Sequence, residues 1–391
     1  MTSKNNQKQK PLYLNTNLRL IFGVTLMAVL GVSSITPAFP VIIEKLDITP
    51  QSIGMLITVF TLPGIVMTPL LGVLADRFGR KRILVPSMML FGIAGVVCAL
   101  ARDYNLLLFF RFLQGIGAAS LGSLNVTLIG DLFSGNDRTA AMGYNASVLS
   151  VGTASYPAIG GILASVGWYY PFVLPIIAVP LGFLVLFSLK NPEPENQQNF
   201  KDYMKAAWTS IKKRQVILLL IVSTITFIIL YGSFLTYFPI LAGGSFKANP
   251  VTIGLLMSAM SLITAASSSQ LGRITKILSK KTLIKVTYLF YGLGLVIFTM
   301  IPKIGLLLIP IVIFGIGHGL NFPSIQTLLA GMAPLEYRGA FMSINGMVLR
   351  LGQTLGPVFM GLIFTVWGIK GTFLAGAGFS AAAFLLLLVF E

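Results

Sequence analysis

Acidic side chains are scarce in this chain: 391 residues carry only 11 Asp and Glu, with a single histidine and a single cysteine. One cysteine excludes an internal disulfide, and Cys98, set in an apolar run, reads as packing. One histidine without clustered carboxylates leaves a membrane enzyme no set of ligands for a metal or a phosphate, so neither a metal nor a cofactor is implied. Charged residues make up 10% of the chain against 55% hydrophobic, which excludes a soluble composition. No polar domain is present to carry a signalling output. The basic N-terminus, MTSKNNQKQK, lacks a small-residue cleavage site after a short apolar core, so no removable signal peptide is expected.

What the chain does have is long apolar helix, interrupted by basic turns. A bilayer core about 30 Å thick needs about 20 apolar residues of helix. The pattern predicts twelve such helices, at 18–43, 51–74, 82–101, 104–131, 137–166, 168–189, 215–242, 250–276, 281–301, 304–331, 336–366 and 370–390. The fold class is therefore all-α integral membrane, with twelve transmembrane helices. The net charge of +17 could point to nucleic acid, but its distribution argues otherwise: 21 of the 28 Lys and Arg lie in alternate loops and the N-terminal tail, and only five in the opposite loops. That asymmetry predicts a multi-pass protein of the cell membrane with both termini cytoplasmic. The longest break, 190–214, is polar at first. It then carries Phe200, Tyr203, Met204, Ala207, Trp208 and Ile211 at helical spacing among lysines, which reads either as a helix on the membrane surface or as a plain linker.

An internal repeat at an offset of 200 residues organises the whole. Ile53, Gly54 and Leu56 recur as Ile253, Gly254 and Leu256, and the run GIG at 115–117 recurs at 315–317. Arg138, Ala140, Met142, Asn145, Val148, Gly152, Pro157 and Gly161 recur 200 residues on as Arg338, Ala340, Met342, Asn345, Val348, Gly352, Pro357 and Gly361. The expected organisation is a tail at 1–19, a six-helix bundle at 20–189, a linker at 190–214 and a second bundle at 215–391. The two are parallel halves related by an axis along the membrane normal.

The turn GVLADRFGRKR between the second and third spans, in two six-helix halves, resembles the major facilitator superfamily, whose loop signature matches at Gly72, Asp76, Arg77, Gly79, Arg80 and Lys81. A signature of that family's proton-coupled exporters is similar at Leu107, Arg111, Gln114, Gly115, Gly117, Ala118 and Ala119. An antiporter signature in the fifth span matches at Gly143, Gly152, Pro157, Gly160 and Gly161, and departs at Tyr156, where the pattern has glycine. The resemblance implies the major facilitator fold with two pseudo-symmetric bundles, and a 12-helix drug:proton antiporter. Asp76, Asp131 and the nearby Arg77, Arg80 and Arg138 would form a latch that holds the outward-facing state, and Arg111 would be the position tied to proton coupling. The second copy of the loop, LGRITKILSKK, has Lys276 where the first has Asp76, so the latch is expected on one side only.

Ionisable groups inside a membrane are costly and are functional suspects. No carboxylate falls at mid-membrane in this chain, whereas Arg111, His318 and Arg350 lie at depth. Their repeat partners, Ile311, Ala118 and Ser150, are uncharged, so these groups report a task and not the scaffold. Arg350 and His318 either face a central cavity and hold an anionic group, or are satisfied by backbone and core hydrogen bonds. His318 could also carry a proton. Asn125, Asn145, Asn321, Gln326, Asn345 and Gln353, with Tyr231 and Tyr237, line such a cavity or else bond helix to helix. The functional expectation is a secondary active transporter, not an enzyme, that exports small organic or amphipathic compounds against protons by alternating access. It would act as a monomer in the lipid bilayer, without a nucleic-acid partner. The alternatives are an exchanger or uniporter of an anionic metabolite, and a lipid flippase on the same fold.

Overall fold

A computed structural model describes residues 11–190, 213–333 and 338–389. Ten helical segments run in order: α1 Thr16–Lys45, α2 Pro50–Phe78, α3 Arg80–Leu100, α4 Tyr104–Leu132, α5 Gly135–Val166, α6 Tyr170–Ser188, α7 Arg214–Phe246, α8 Pro250–Ser269, α9 Lys280–Phe298 and α10 Ile304–Met332. A last helical stretch, Arg338–Val389, is broken at Gly368, where φ is 63°. An L side chain is disfavoured there, and glycine lets one helix end and the next begin without a loop. This break yields α11 (338–367) and α12 (369–389). Eleven stretches among the described residues are long and apolar enough to cross a membrane, and the break at Gly368 divides the last, 46 residues long, in two, in line with the twelve spans expected. The surface helix expected within 190–214 falls almost wholly on 191–212, outside the described residues.

Short polar residues start several helices by accepting backbone N–H groups. Asn15 accepts from Asn17 and Leu18, Asp103 from Leu106, Asn249 from Thr252, and Ser279 from Thr282. The departures from expectation follow proline and glycine. α6 is not helical from 168: Pro171 and Pro175 remove donors, and two 3-10 turns, Tyr170–Phe172 and Leu174–Ile177, precede its α-helical part, Ala178–Ser188. α8 ends at Ser269, earlier than the expected 276, and a short turn, Leu271–Ile274, follows it. Within α7, Ile229–Tyr237 is wound as a π-helix.

Two clusters of buried apolar side chains hold the fold, one drawn from Leu18 to Leu189 and the other from Val216 to Leu387. The repeated GIG performs the same packing in each. A Cβ on Gly115 would stand 2.2 Å from the carbonyl oxygen of Phe60 in α2, and one on Gly117 would stand 2.6 Å from the amide of Phe91 in α3. Gly315 and Gly317 press in the same way on α8 and α9, at 3.0 Å from Ile263 and from Phe290. Small residues are what let membrane helices approach this closely.

The helices of the two halves meet along α5 with α8 and along α2 with α11. A Cβ on Gly254 would be 2.3 Å from the carbonyl oxygen of Pro157, and one on Gly161 would be 2.3 Å from that of Pro250. The repeat-related contact sets Gly54 of α2 against Pro357 of α11, at 3.0 Å. These contacts lie at the end of the bundle away from Arg80. Toward the basic end, Cβ atoms on Gly72, Gly143 and Gly346 would meet nothing within 4 Å. The halves are thus pressed together at one end, whereas these three glycines toward the basic end have open space beside them.

Candidate functional site

The seal between the halves ends in a short polar ladder. Thr61 of α2 and Thr354 of α11 share a hydrogen bond of 2.9 Å, and the Thr58 hydroxyl donates to the Thr354 carbonyl at 3.2 Å. On the other flank the Ala158 amide, one residue past Pro157, donates to Ser258 of α8 at 3.0 Å. Pro157 blocks the regular helical ladder at this point, and Ser258 supplies an acceptor from the opposite half. Thr58 and Ser258 are themselves 200 residues apart. The repeat could have pointed to both, but a Thr or Ser in an apolar helix carries little signal alone.

One turn below Thr354, toward the basic end, stands Arg350. Its side chain crosses to the first half, where a Cβ on Gly64 would lie 3.1 Å from its Cδ and Nε. It donates to Gln353 at 3.1 Å and lies near Tyr231 of the π segment. Among the described residues it has no carboxylate within 4 Å. Tyr231 stacks on Phe227 with centroids 5.9 Å apart, Phe227 meets Phe322 at 5.5 Å, and Phe322 stacks on His318 at 6.3 Å. The structure therefore joins Arg350, Gln353, Tyr231 and His318 along one wall. His318 is tied at Nδ1 to the Tyr291 hydroxyl, 2.6 Å away.

Other expected lining residues are committed elsewhere. Asn125 donates to Thr25 at 2.8 Å, and Thr25 donates to Asn145 at 2.6 Å, a buried tie among α1, α4 and α5. Asn321 accepts from Thr226 at 3.1 Å and donates to Thr287 at 2.8 Å, the counterpart in the second half, one helical turn from where the repeat would put it. Asn345 donates to Gln326 at 2.7 Å. Tyr237 is fully buried and stacks on Phe364, away from Arg350. These residues take the helix-to-helix alternative. Pairing of this kind contributes about 0.6 kcal/mol each on average in a membrane.

Arg111 is likewise enclosed in the first half. It is fully buried, donates to the Leu56 carbonyl at 3.1 Å and to Gln114 at 2.6 Å, and lies 4.2 Å from the Phe60 ring centroid. Its second terminal nitrogen has no hydrogen-bond partner. Among the fifth-span glycines, Gly161 faces α8, Gly160 and Gly152 press on α1, and Gly143 faces open space.

At the basic end Arg80 bridges Asp76 and Asp131, with Nε 3.0 Å from the latter. Gly79, with φ 97°, makes the turn that brings Arg80 back over Asp76. Lys81 donates to the Leu189 carbonyl at 3.0 Å, and the Arg138 guanidinium of α5 lies against Gly130 of α4, so the cluster joins α2, α3, α4, α5 and the end of α6. In the second half Lys280 holds the position of Arg80 and Lys276 that of Asp76, and Arg273, in register with Val73, bonds to neutral Gln270. Both carboxylate partners of Arg80 belong to its own half. Arg80→Ala is expected to lower the transport rate in proteoliposomes several-fold with little change in melting temperature, since these groups are partly exposed. A wild-type rate in that variant would remove the cluster from the cycle.

The sequence model of the Major Facilitator Superfamily matches residues 21–298 and 241–391. The chain is 29% identical over 354 residues to the bacillibactin exporter of Bacillus subtilis, covering 87% of this chain and 88% of that protein. It is 26% identical to multidrug resistance protein 1 of the same organism, covering 90% of each. It is 22% identical to the quinolone resistance protein NorA of Staphylococcus aureus, covering 96% and 97%. Among solved structures, a mutant of the nucleoside transporter NupG superposes with TM-score 0.79 at 14% identity, covering 96% of this chain and all of that one. A bacterial homologue of the human lysosomal transporter Spinster superposes with TM-score 0.78 at 16% identity, covering 97% and 96%. With matching sequence models over both halves and a transporter fold throughout, the chain belongs to the Major Facilitator Superfamily.

Proposed function

We propose that this transporter exports small organic, amphipathic compounds from the cell by proton-coupled alternating access, as a monomer in the cytoplasmic membrane. One observation carries the reading: repeat-related seals close one end, while glycines toward the basic end have open space beside them. With the basic loops in the cytoplasm, as the cation asymmetry argues, this is an inward-facing state ready to load. The bundles 20–189 and 215–391 then rock about the level of Arg350, and the linker 190–214 spans them on the cytoplasmic side. The Asp76–Arg80–Asp131 cluster serves the opposite, outward-facing state, which it would reach as the basic ends approach. Arg111 and His318 are the groups at depth available to couple protons. Relatives named as exporters and drug resistance proteins support the outward direction.

The test is transport in proteoliposomes of purified protein, using a panel of anionic, neutral and cationic fluorescent dyes under an imposed pH gradient. Expected is protein-dependent dye movement opposite to the proton gradient, abolished by an ionophore that collapses it. Dye movement that is protein-dependent but indifferent to the gradient would overturn the coupling. No protein-dependent movement of any dye would overturn the export reading.

A further inference from the structure

We infer that the cleft binds its cargo by an anionic group, a carboxylate or phenolate on an aromatic compound, with Arg350 as the anchor. This rests on the export reading and names the substrate class of that site.

Arg350 stands beside the seam of α2 and α11, one turn from the Thr354 ladder on the basic side. A guanidinium has five N–H donors. Here its one hydrogen bond among the described residues goes to Gln353, a neutral acceptor. No carboxylate is within ion-pair distance among the described residues, and the sequence places none at that depth in any span. Arg350 differs from Arg111 in this respect. Arg111 is sealed in one half by a backbone carbonyl, Gln114 and an aromatic ring. Arg350 is partly exposed, and it reaches from α11 across to Gly64 of α2 in the other half.

Beside it runs the aromatic wall of Tyr231, Phe227, Phe322 and His318, each ring within 6.3 Å of the next. A planar guanidinium pairs with a carboxylate through two parallel N–H donors, and an aromatic face takes an aromatic body. A cation without a counter-ion next to a row of rings is therefore complementary to an aromatic anion and repels a cationic dye. The energetics fit export as well. The inside-negative potential favours outward movement of an anion by about 50-fold per charge per 100 mV, so such a substrate needs no membrane-buried acid for its own binding.

The experiment measures binding to the purified chain in mild detergent, using two matched probes, 2-naphthoate and its uncharged analogue 2-naphthamide. Wild type is expected to bind the carboxylate at least tenfold more tightly than the amide. Arg350→Ala should lose at least tenfold for the carboxylate with the amide unchanged, and the amide thus serves as the folding control. Arg350→Lys should recover part of the carboxylate affinity, since it restores the charge without the fork. Should Arg350→Ala fail to fold, the Lys variant and the wild-type preference decide. Equal binding of the two probes by wild type, no carboxylate binding at all, or unchanged carboxylate affinity in the folded Ala variant would each overturn the anion site. The dye-transport panel scores the export reading independently of these outcomes.

Discussion

Gly254→Val is expected to cut transport to below a tenth of the wild-type rate while leaving the chain folded. A Cβ at Gly254 would stand 2.3 Å from the Pro157 carbonyl oxygen and 3.2 Å from the Ala158 Cα. Both are backbone atoms, so no rotamer change relieves the clash. Overpacking a core costs about 1–3 kcal/mol, but here the chain has an escape: the halves can part at this end, each keeping its own buried cluster. The variant should therefore favour the state open at the sealed end. The native chain has one cysteine, fully buried, so a cysteine placed at Ser258 would report the opening with little background. Its labelling rate should rise at least tenfold in Gly254→Val. Gly54→Val should do less harm, because the added carbon there meets a Pro357 side-chain atom at 3.0 Å. Wild-type transport in Gly254→Val would show that this contact plays no part in the cycle.

Arg111→Leu is the second large effect, and its two readouts should move apart. The guanidinium is fully buried, lacks a carboxylate partner among the described residues and leaves one nitrogen unbonded. An uncompensated buried ion costs several kcal/mol, and exchange for an apolar group of similar reach is neutral or stabilising in many proteins. The melting temperature of Arg111→Leu is expected to equal or exceed that of wild type, while proton-driven transport falls more than tenfold. Arg111→Lys should recover little, because one ammonium on a flexible stem cannot reproduce the fork that meets both Leu56 and Gln114. A variant that unfolds would make Arg111 a structural strut. A variant that transports normally would remove it from coupling.

The architecture was legible in the sequence because hydropathy, the 200-residue offset and the cation bias are sums over many residues. Gly54, Gly254, Pro157 and Pro357 stand in register in the sequence alone, and they meet across the halves. The polar residues were harder to read. Asn125 and Asn145 look like cavity residues in an apolar helix, yet Thr25 consumes both. Which way a side chain faces depends on the rotation of its helix about its own axis, and hydropathy with boundaries uncertain by two residues does not fix that rotation. Tyr231 and Tyr237 show the same limit. They are six residues apart in a π-wound stretch, and only Tyr231 joins Arg350. The proline-rich start of α6 and the early end of α8 depend on local backbone chemistry that an averaged hydropathy window smooths away.

Each half gives a glycine to one seal and a proline to the other: Gly54 meets Pro357, and Pro157 meets Gly254. That reciprocity is the mark of a self-complementary surface, the kind by which two identical subunits associate about a two-fold axis. A six-helix ancestor bearing this glycine and this proline could have closed a cleft against a second copy of itself. Once the copies were joined in a single gene, they were free to diverge. The halves now differ: Asp76 corresponds to Lys276 across the repeat, and Arg350 and His318 have the uncharged counterparts Ser150 and Ala118. These charged differences are thus laid over a contact that the repeat makes symmetric.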